Sequence, residues 1–438
     1  MPRRDASEPA GPHPSSRTPG EDNRAVPAST RTIGIGVVFL LVAGTLSVGL
    51  AFKLPCAVDD WTDGRAFTRG CYTDLVGLIQ SEQLTGGRLP YLDPCQGVAE
   101  DSTCDEYPVL TMYVMRATAW VSGDTTAAFY YTNAVLLAVF AAATAVGLWL
   151  LAGRRALWFA LAPTLLIYGT INWDLVAVAF ATLALVAFAS RRDGWTGVLL
   201  GLGAAAKFYP VLLVIPLFLQ GIQDREPDRS VRVLWWTLGT WIAVNVPFTI
   251  AAPGAWFEFF RFNSGRVADF DSLWYIACRH WDAACISTGT VNAWSLILFI
   301  AAFGLLFLLK YRRDPDFPRW TLGFPLLACF LLFNKVYSPQ YGLWLLPWFA
   351  LVVPRWSWFA AFEAADVAVF VSRFRYFFPI YVAGGALTPE ERWFEFAVLA
   401  RAAILVCCLV IWVRRDAPTL VLGARGWRPL RAPGRVPA

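Results

Sequence analysis

The sequence predicts an all-α polytopic membrane protein, with about twelve transmembrane helices and a large first extracytoplasmic loop. Three observations carry that prediction. Of the 438 residues, 57% are hydrophobic and only 16% charged, against roughly 25% charged in a soluble globular domain. Apolar runs approaching the ~20 residues a span requires recur along the chain. Arginines cluster in short segments between alternate runs, the pattern of cytoplasmic loops. The net charge is +5 and the only lysines are Lys53, Lys207, Lys310 and Lys335, so the positive charge is mostly arginine. Because these arginines flank apolar spans, nucleic-acid binding is excluded as their purpose.

Residues 1–31 are rich in Pro, Ser, Ala and charge without hydrophobic periodicity, the composition of a disordered cytoplasmic tail. Residues 32–415 form the transmembrane domain. Its first span runs from Ile33 to about Phe52, too long for a signal peptide and without a small-residue cleavage site. The first extracytoplasmic loop, 53–126, carries ten acids and three arginines up to Glu106. Within it, the Tyr107–Val121 run is interrupted by Arg116 and reads as a helix along the outer interface.

Further spans are expected over Ala127–Leu151, Ala156–Ile171 and Asp174–Ala189, with Arg154-Arg155 and Arg191-Arg192 on the inner side. Trp195–Leu219 is too long for one helix and is broken at Lys207-Phe208-Tyr209-Pro210, since proline disfavours a continuous helix there. The remaining spans are Leu234–Ala251, Ala293–Leu309, Leu322–Phe333, Leu343–Val353, Trp358–Val371 and Phe394–Val413. A second large extracytoplasmic loop occupies 252–292, and 416–438 is a basic cytoplasmic tail. Both termini fall inside, in a multi-pass protein of the cell membrane.

Cysteine placement agrees with this topology. Cys56, Cys71, Cys95 and Cys104 share the first outer loop, where three pairings are open, and Cys278 and Cys285 share the second. Even numbers outside suggest disulfides, with Cys278–Cys285 the safest pair. Cys329, Cys407 and Cys408 lie in spans as apolar packing.

Chemistry is expected on the outer side. Asp74, in Cys-Tyr-Thr-Asp-Leu-Val-Gly, is a lone carboxylate opening an amphipathic helix. It reads equally as a first-turn acid and as a general base that deprotonates an acceptor hydroxyl. Asp59, Asp60 and Asp63 sit in what reads as a solvated turn, with a cation site as the rival. Asp105-Glu106-Tyr107-Pro108 fits the capped start of a helix, with Glu106 and Tyr107 facing a substrate cavity as the alternative. Asp174, in Asn172-Trp173-Asp174, is a span-end acid with a minor claim to substrate.

Lys207 stands between two apolar half-helices, and an intramembrane lysine faces a polar interior. Lys335 opens a proline-broken turn. It is either a snorkelling anchor or a cation that holds a phosphate, with Tyr337, Gln340 and Tyr341 adding polar contacts. No Gly-rich phosphate loop occurs, and the only histidines are His13 and His280, so serine-hydrolase chemistry has little support.

In this order, several stretches together resemble the glycosyltransferase 87 family of polyprenyl-phosphate-mannose-dependent mannosyltransferases. They are Asp74, Gly87-Arg88-Leu89-Pro90-Tyr91, Glu106-Tyr107-Pro108, Trp173-Asp174-Leu175, the 197–203 glycine-rich run leading to Lys207-Phe208-Tyr209-Pro210, and Lys335–Tyr341 before Leu343-Trp344-Leu345-Leu346-Pro347. The resemblance spans roughly residues 33–413. It implies the C-type glycosyltransferase (GT-C) fold, an active site at the outer surface, a lipid-phosphate sugar as donor, and Asp74 as the catalytic base. Two departures, Val109 after Tyr-Pro and Gly77 three residues after Asp74, bear on sugar and acceptor identity.

The expected function is inverting transfer of a sugar, mannose by the resemblance, from polyprenyl phosphate to a cell-envelope glycolipid or glycan hydroxyl. No cofactor beyond the donor lipid is called for, and metal dependence is left open. The competing class is a transporter or flippase of lipid-linked sugars. The enzyme reading requires Asp74, Lys207 and Lys335 to meet in one outer cavity.

Overall fold

The computed structural model of the chain describes residues 28–58, 60–96, 104–123, 125–281, 287–381 and 390–418. Among them there is no extended strand, and the architecture is helical throughout. Among the described residues five helices are long and apolar enough to cross a membrane: Gly34–Ala57, Thr126–Ala160, Pro227–Ala251, Thr288–Arg313 and Glu391–Arg414. Shorter apolar helices lie between them, including Asp174–Ala189, Tyr209–Gln223 and Arg319–Phe333.

Several expected spans are built differently. Ala156–Ile171 is two short helices, Ala156–Ala160 and Pro163–Tyr168, because Pro163 cannot continue the preceding turn and instead starts a new one. Leu343–Val353 is the ten-residue helix Gly342–Leu351. Ten residues rise about 15 Å, half of the ~30 Å hydrocarbon core, so it does not cross alone. All ten of its residues are buried, at the centre of the bundle beside Asp174–Ala189. The expected span Trp358–Val371 belongs to a longer helix, Trp356–Tyr381. The expected second outer loop is itself helical, with Pro253–Gly265 and Leu273–His280. Most of the two tails lies outside the described residues, although the first helix already begins at Ala28.

The break at Lys207 occurs where expected. Asp193–Ala206 ends with Lys207 in extended backbone, and a 3-10 turn, Tyr209–Leu213, leads into Val214–Gln223. Asp193–Ala206 lies hard against Pro227–Ala251. A Cβ on Gly197 would stand 2.6 Å from the Val233 carbonyl, and one on Gly201 would stand 2.7 Å from that of Thr237. Small residues four apart thus allow the two backbones to meet closely.

In the segment expected as the first outer loop the disulfides are Cys56–Cys71 and Cys95–Cys104, which selects one of the three open pairings. The first joins the end of the first span to the turn carrying Asp74. Cys278 is disulfide-bonded, and its expected partner, Cys285, lies outside the described residues. Cys329 and Cys408 are buried as expected, whereas Cys407 is exposed.

Candidate active site

The helix Asp74–Ser81 starts where it does because Thr73 caps it. The Thr73 hydroxyl accepts from the Leu75 N–H (3.3 Å) and donates to the Thr170 carbonyl (2.9 Å). The Asp74 N–H donates to the Ile171 carbonyl (3.0 Å). The turn is thereby tied to the segment Thr170–Asp174, and Asp74 is a first-turn acid as the local pattern suggested.

Its carboxylate is held from further along the chain. Asp74 Oδ2 accepts from Asn172 Nδ2 (2.9 Å) and from Gln340 Nε2 (3.3 Å). The same Asn172 nitrogen donates to the Tyr107 hydroxyl (2.8 Å). The Asn172 oxygen accepts from the Trp173 N–H (2.8 Å) and from the Lys207 ammonium (3.2 Å). Both ends of the amide therefore face complementary partners, which fixes its orientation. Lys207 also pairs with Asp174 (3.4 Å), whose other oxygen accepts the Trp344 indole N–H (2.7 Å). Trp344 lies between the rings of Tyr209 and Tyr341, at centroid distances of 4.2 and 4.0 Å.

A cavity of about 1020 Å³ opens over this network. Asp74, Glu106, Tyr107, Lys207, Lys335, Gln340 and Tyr341 all line it, so the three positions on which the enzyme reading depended do meet. Two expected substrate contacts do not reach the cavity. Asp174 is fully buried behind Lys207. Tyr337 is turned the other way, its ring beneath the Arg401 guanidinium at 3.8 Å from the centroid. Glu106, for which a place facing the cavity was the alternative to capping, lines it without a hydrogen bond to Asp74 among the described residues. Asn172 bonds to Asp74 instead.

Lys335 is buried, and its ammonium donates to the Ser264 carbonyl (2.9 Å). Among the described residues no carboxylate lies within ion-pair distance of Lys335 or of Arg266, which lines the same cavity. Burial, then the Arg266 charge, pushes the Lys335 ammonium down to about 8. An anion between two such cations relieves both effects. Beyond them the wall is apolar, formed by Phe259, Phe260, Phe262, Leu296 and Phe299. Leu296 and Phe299 belong to Thr288–Arg313, whose apolar residues Ile297 and Ile300 are exposed along its outer surface.

Beside Glu106 lies a group of acids. Glu82 Oε2 accepts the N–H groups of Asp105 (2.5 Å) and Glu106 (3.4 Å), while Oε1 has no hydrogen-bond partner among the described residues. Burial, then the Glu106 charge, pushes the Glu82 carboxyl up to about 8. Burial pushes Glu106 up to about 7, against the opposing charge of Arg266. From the ordinary glutamate value of 4.5 to about 8, the folded chain holds a Glu82 proton that the unfolded chain has lost. Stability therefore falls as pH rises through that window, by up to about 1.4 kcal/mol per pH unit for one proton. Glu82→Gln is expected to flatten part of that decline in thermal melts between pH 5 and 8. Equal declines in both proteins would contradict it. Cys95, Cys104 and Asp105 cluster closely enough to suggest a metal, but the disulfide occupies both sulfurs.

Sequence reasoning missed Asn172, Arg266 and Tyr72. Tyr72 lines the cavity with Asp74, and its phenol is pushed well above its usual value, first by the Asp74 charge and then by burial. Only Asn172 left a signal, as the polar neighbour of Trp173-Asp174.

The solved structure of ArnT from Cupriavidus metallidurans, bound to undecaprenyl phosphate, is similar at 14% identity and a TM-score of 0.43, covering 86% of this chain and 76% of that one. The family model of glycosyltransferase family 87 matches residues 106–339, a stretch that includes Tyr107, Asn172, Lys207 and Lys335 and begins after Asp74. With more than half of its length so matched, the chain belongs to glycosyltransferase family 87.

Proposed function

We propose that this membrane glycosyltransferase moves a sugar, mannose by its family resemblance, from a polyprenyl-phosphate donor to a hydroxyl of a cell-envelope glycolipid or glycan. The transfer inverts the anomeric carbon and takes place at the outer face of the cell membrane, with both termini on the cytoplasmic side. Asp74 takes the acceptor proton as the acceptor oxygen bonds to the anomeric carbon. The bond from that carbon to the phosphate oxygen breaks, and the lipid phosphate leaves with the electron pair. A phosphate needs no proton to leave near neutral pH, so one carboxylate suffices.

The observation that carries this reading is the shared cavity, which sets Asp74 at one part of its lining and, at another, Lys335 and Arg266, cations with no carboxylate in ion-pair distance among the described residues. Lys207, already paired with Asp174, serves Asp74 through Asn172 instead of the phosphate. The apolar wall around Leu296 and Phe299 faces the side from which a prenyl chain would come.

The test is to supply purified protein with labelled polyprenyl-phosphate mannose and extracted envelope lipids. The expected result is a labelled glycolipid together with free polyprenyl phosphate. Passage of the lipid-linked sugar across vesicles with no new glycosidic bond would favour the transporter class instead. Lys335→Met and Arg266→Met are each expected to raise the donor KM about tenfold or more, since a hydrogen bond to a charged group contributes ~1.5–3 kcal/mol. A donor KM unchanged in both variants would move the phosphate elsewhere.

A further inference from the structure

Among the described residues three carboxylates line the cavity: Asp74, Glu106 and Asp269. Asp269 lies between the helices Pro253–Gly265 and Leu273–His280, and it is held by the loop that carries Lys335. Its backbone N–H donates to the Lys335 carbonyl (2.8 Å). Further along the same loop, the Ser338 hydroxyl donates to Asp269 Oδ2 (3.2 Å). Oδ1 accepts the N–H of the next residue, Phe270 (2.9 Å). Among the described residues no cation lies within ion-pair distance of this carboxylate, and Arg373, which lines the same cavity, pairs with Asp271. An ionised carboxylate is an acceptor only, with about four positions to fill. Asp269 thus brings to the cavity one further acceptor position on each oxygen.

We propose that Asp269 is a donor-specificity residue: its remaining acceptor positions take hydroxyls of the sugar carried on the lipid phosphate. The proposal rests on reading the cavity as a transferase site with Lys335 and Arg266 at the phosphate. The order of contacts along one loop assigns the donor's sugar. Lys335 opens the loop, Ser338 holds Asp269, and Gln340 donates to Asp74. Asp269 therefore stands between a phosphate cation and the base. In an inverting transfer the acceptor approaches the anomeric carbon from the side away from the phosphate, so the sugar ring occupies that interval. A carboxylate there suits neutral hydroxyls and repels the phosphate itself. Its bonds to hydroxyls are charge-assisted, roughly twice as strong as neutral ones. A site built to bond a hydroxyl rejects a ligand that lacks it, so the same contact favours the loaded donor over the bare carrier.

The experiment measures binding of polyprenyl-phosphate mannose and of bare polyprenyl phosphate to purified wild type and Asp269→Asn, with Tm alongside. Asparagine keeps the shape, and its amide can bond both the Phe270 N–H and the Ser338 hydroxyl, so the variant should fold. The expected result is a loss of about tenfold or more in affinity for the mannosyl lipid, with the bare lipid bound at least as tightly as before. A purely structural role in the Lys335 loop would weaken both lipids alike. That result overturns the proposal, as does unchanged affinity for both. Wild type gives an independent check, since removing single hydroxyls from the mannose should cost a similar factor at one position at least. Retained affinity for every deoxy lipid overturns the contact, whatever the variant does. A rise in acceptor KM alone would place Asp269 on the acceptor and overturn the donor assignment. Failure of the transferase reading is seen separately: mannosyl lipid bound through Asp269, with no glycosidic bond formed, leaves the contact standing.

Discussion

Asp74→Asn lowers kcat by about 10²–10⁴, the usual contribution of a general base, and leaves the donor KM nearly unchanged. The geometry makes this variant a clean one. Asn172 and Gln340 both donate to the same oxygen, Asp74 Oδ2, and the amide oxygen of an asparagine can accept both bonds in its place. The cap on Thr73 and the backbone bond to Ile171 do not involve the side chain. The site therefore keeps its shape and loses only the oxygen that can take a proton.

Asp74→Glu separates basicity from position. It restores a carboxylate but extends it by one carbon–carbon bond, about 1.5 Å, and misplacement of that size costs on the order of 10²-fold. Both variants should bind donor as wild type does, because Lys335 and Arg266 occupy another part of the cavity lining. Single-turnover transfer from labelled donor would measure the chemical step directly. Activity within tenfold of wild type in Asp74→Asn would remove Asp74 from the mechanism and leave Glu106, the other acid the sequence placed in the cavity.

What could be read from the chain follows from how each signal is encoded. The helix Asp174–Ala189 has the boundaries expected of it, since an acid opens the apolar run and a pair of arginines follows it. The break at Lys207 was legible because a proline and a lysine interrupt one apolar stretch. The break before Pro163 carried the same proline signal, but the apolar residues around it masked a change of direction. Asn172 could not be found this way. A neutral amide has no charge signature, and its importance comes from bringing residues 74, 107 and 207 to one point. Tyr337 and Gln340 are three residues apart in one loop, yet one is turned toward Arg401 and the other toward Asp74.

The loop holding Lys335 and Gln340 depends on a buried ion pair behind it, and breaking that pair has the largest expected effect on stability. Arg401, on the helix Glu390–Arg414, is 1% exposed. It pairs with Asp366 (3.0 Å), donates to the Asp271 carbonyl (3.0 Å) and covers the Tyr337 ring. Asp366 accepts from the Thr164 hydroxyl (3.2 Å), and a Cβ on Gly342 would stand 2.8 Å from its carboxylate. One guanidinium thus joins four segments, including the loop that carries Lys335 and Gln340. Arg401→Leu leaves the Asp366 carboxylate buried without a counter-charge and should cost about 3–5 kcal/mol, read as a drop in Tm in detergent. Arg401→Lys should recover only part of that, since a single ammonium cannot bond both partners while covering the ring. The double variant Arg401→Leu/Asp366→Leu should be more stable than Arg401→Leu alone, because two apolar side chains leave no charge stranded. If the double variant proves no better than the single one, the loss lies in packing on Tyr337 and not in the ion pair. In either case activity should fall together with stability, since the loosened loop carries the side chain that donates to Asp74.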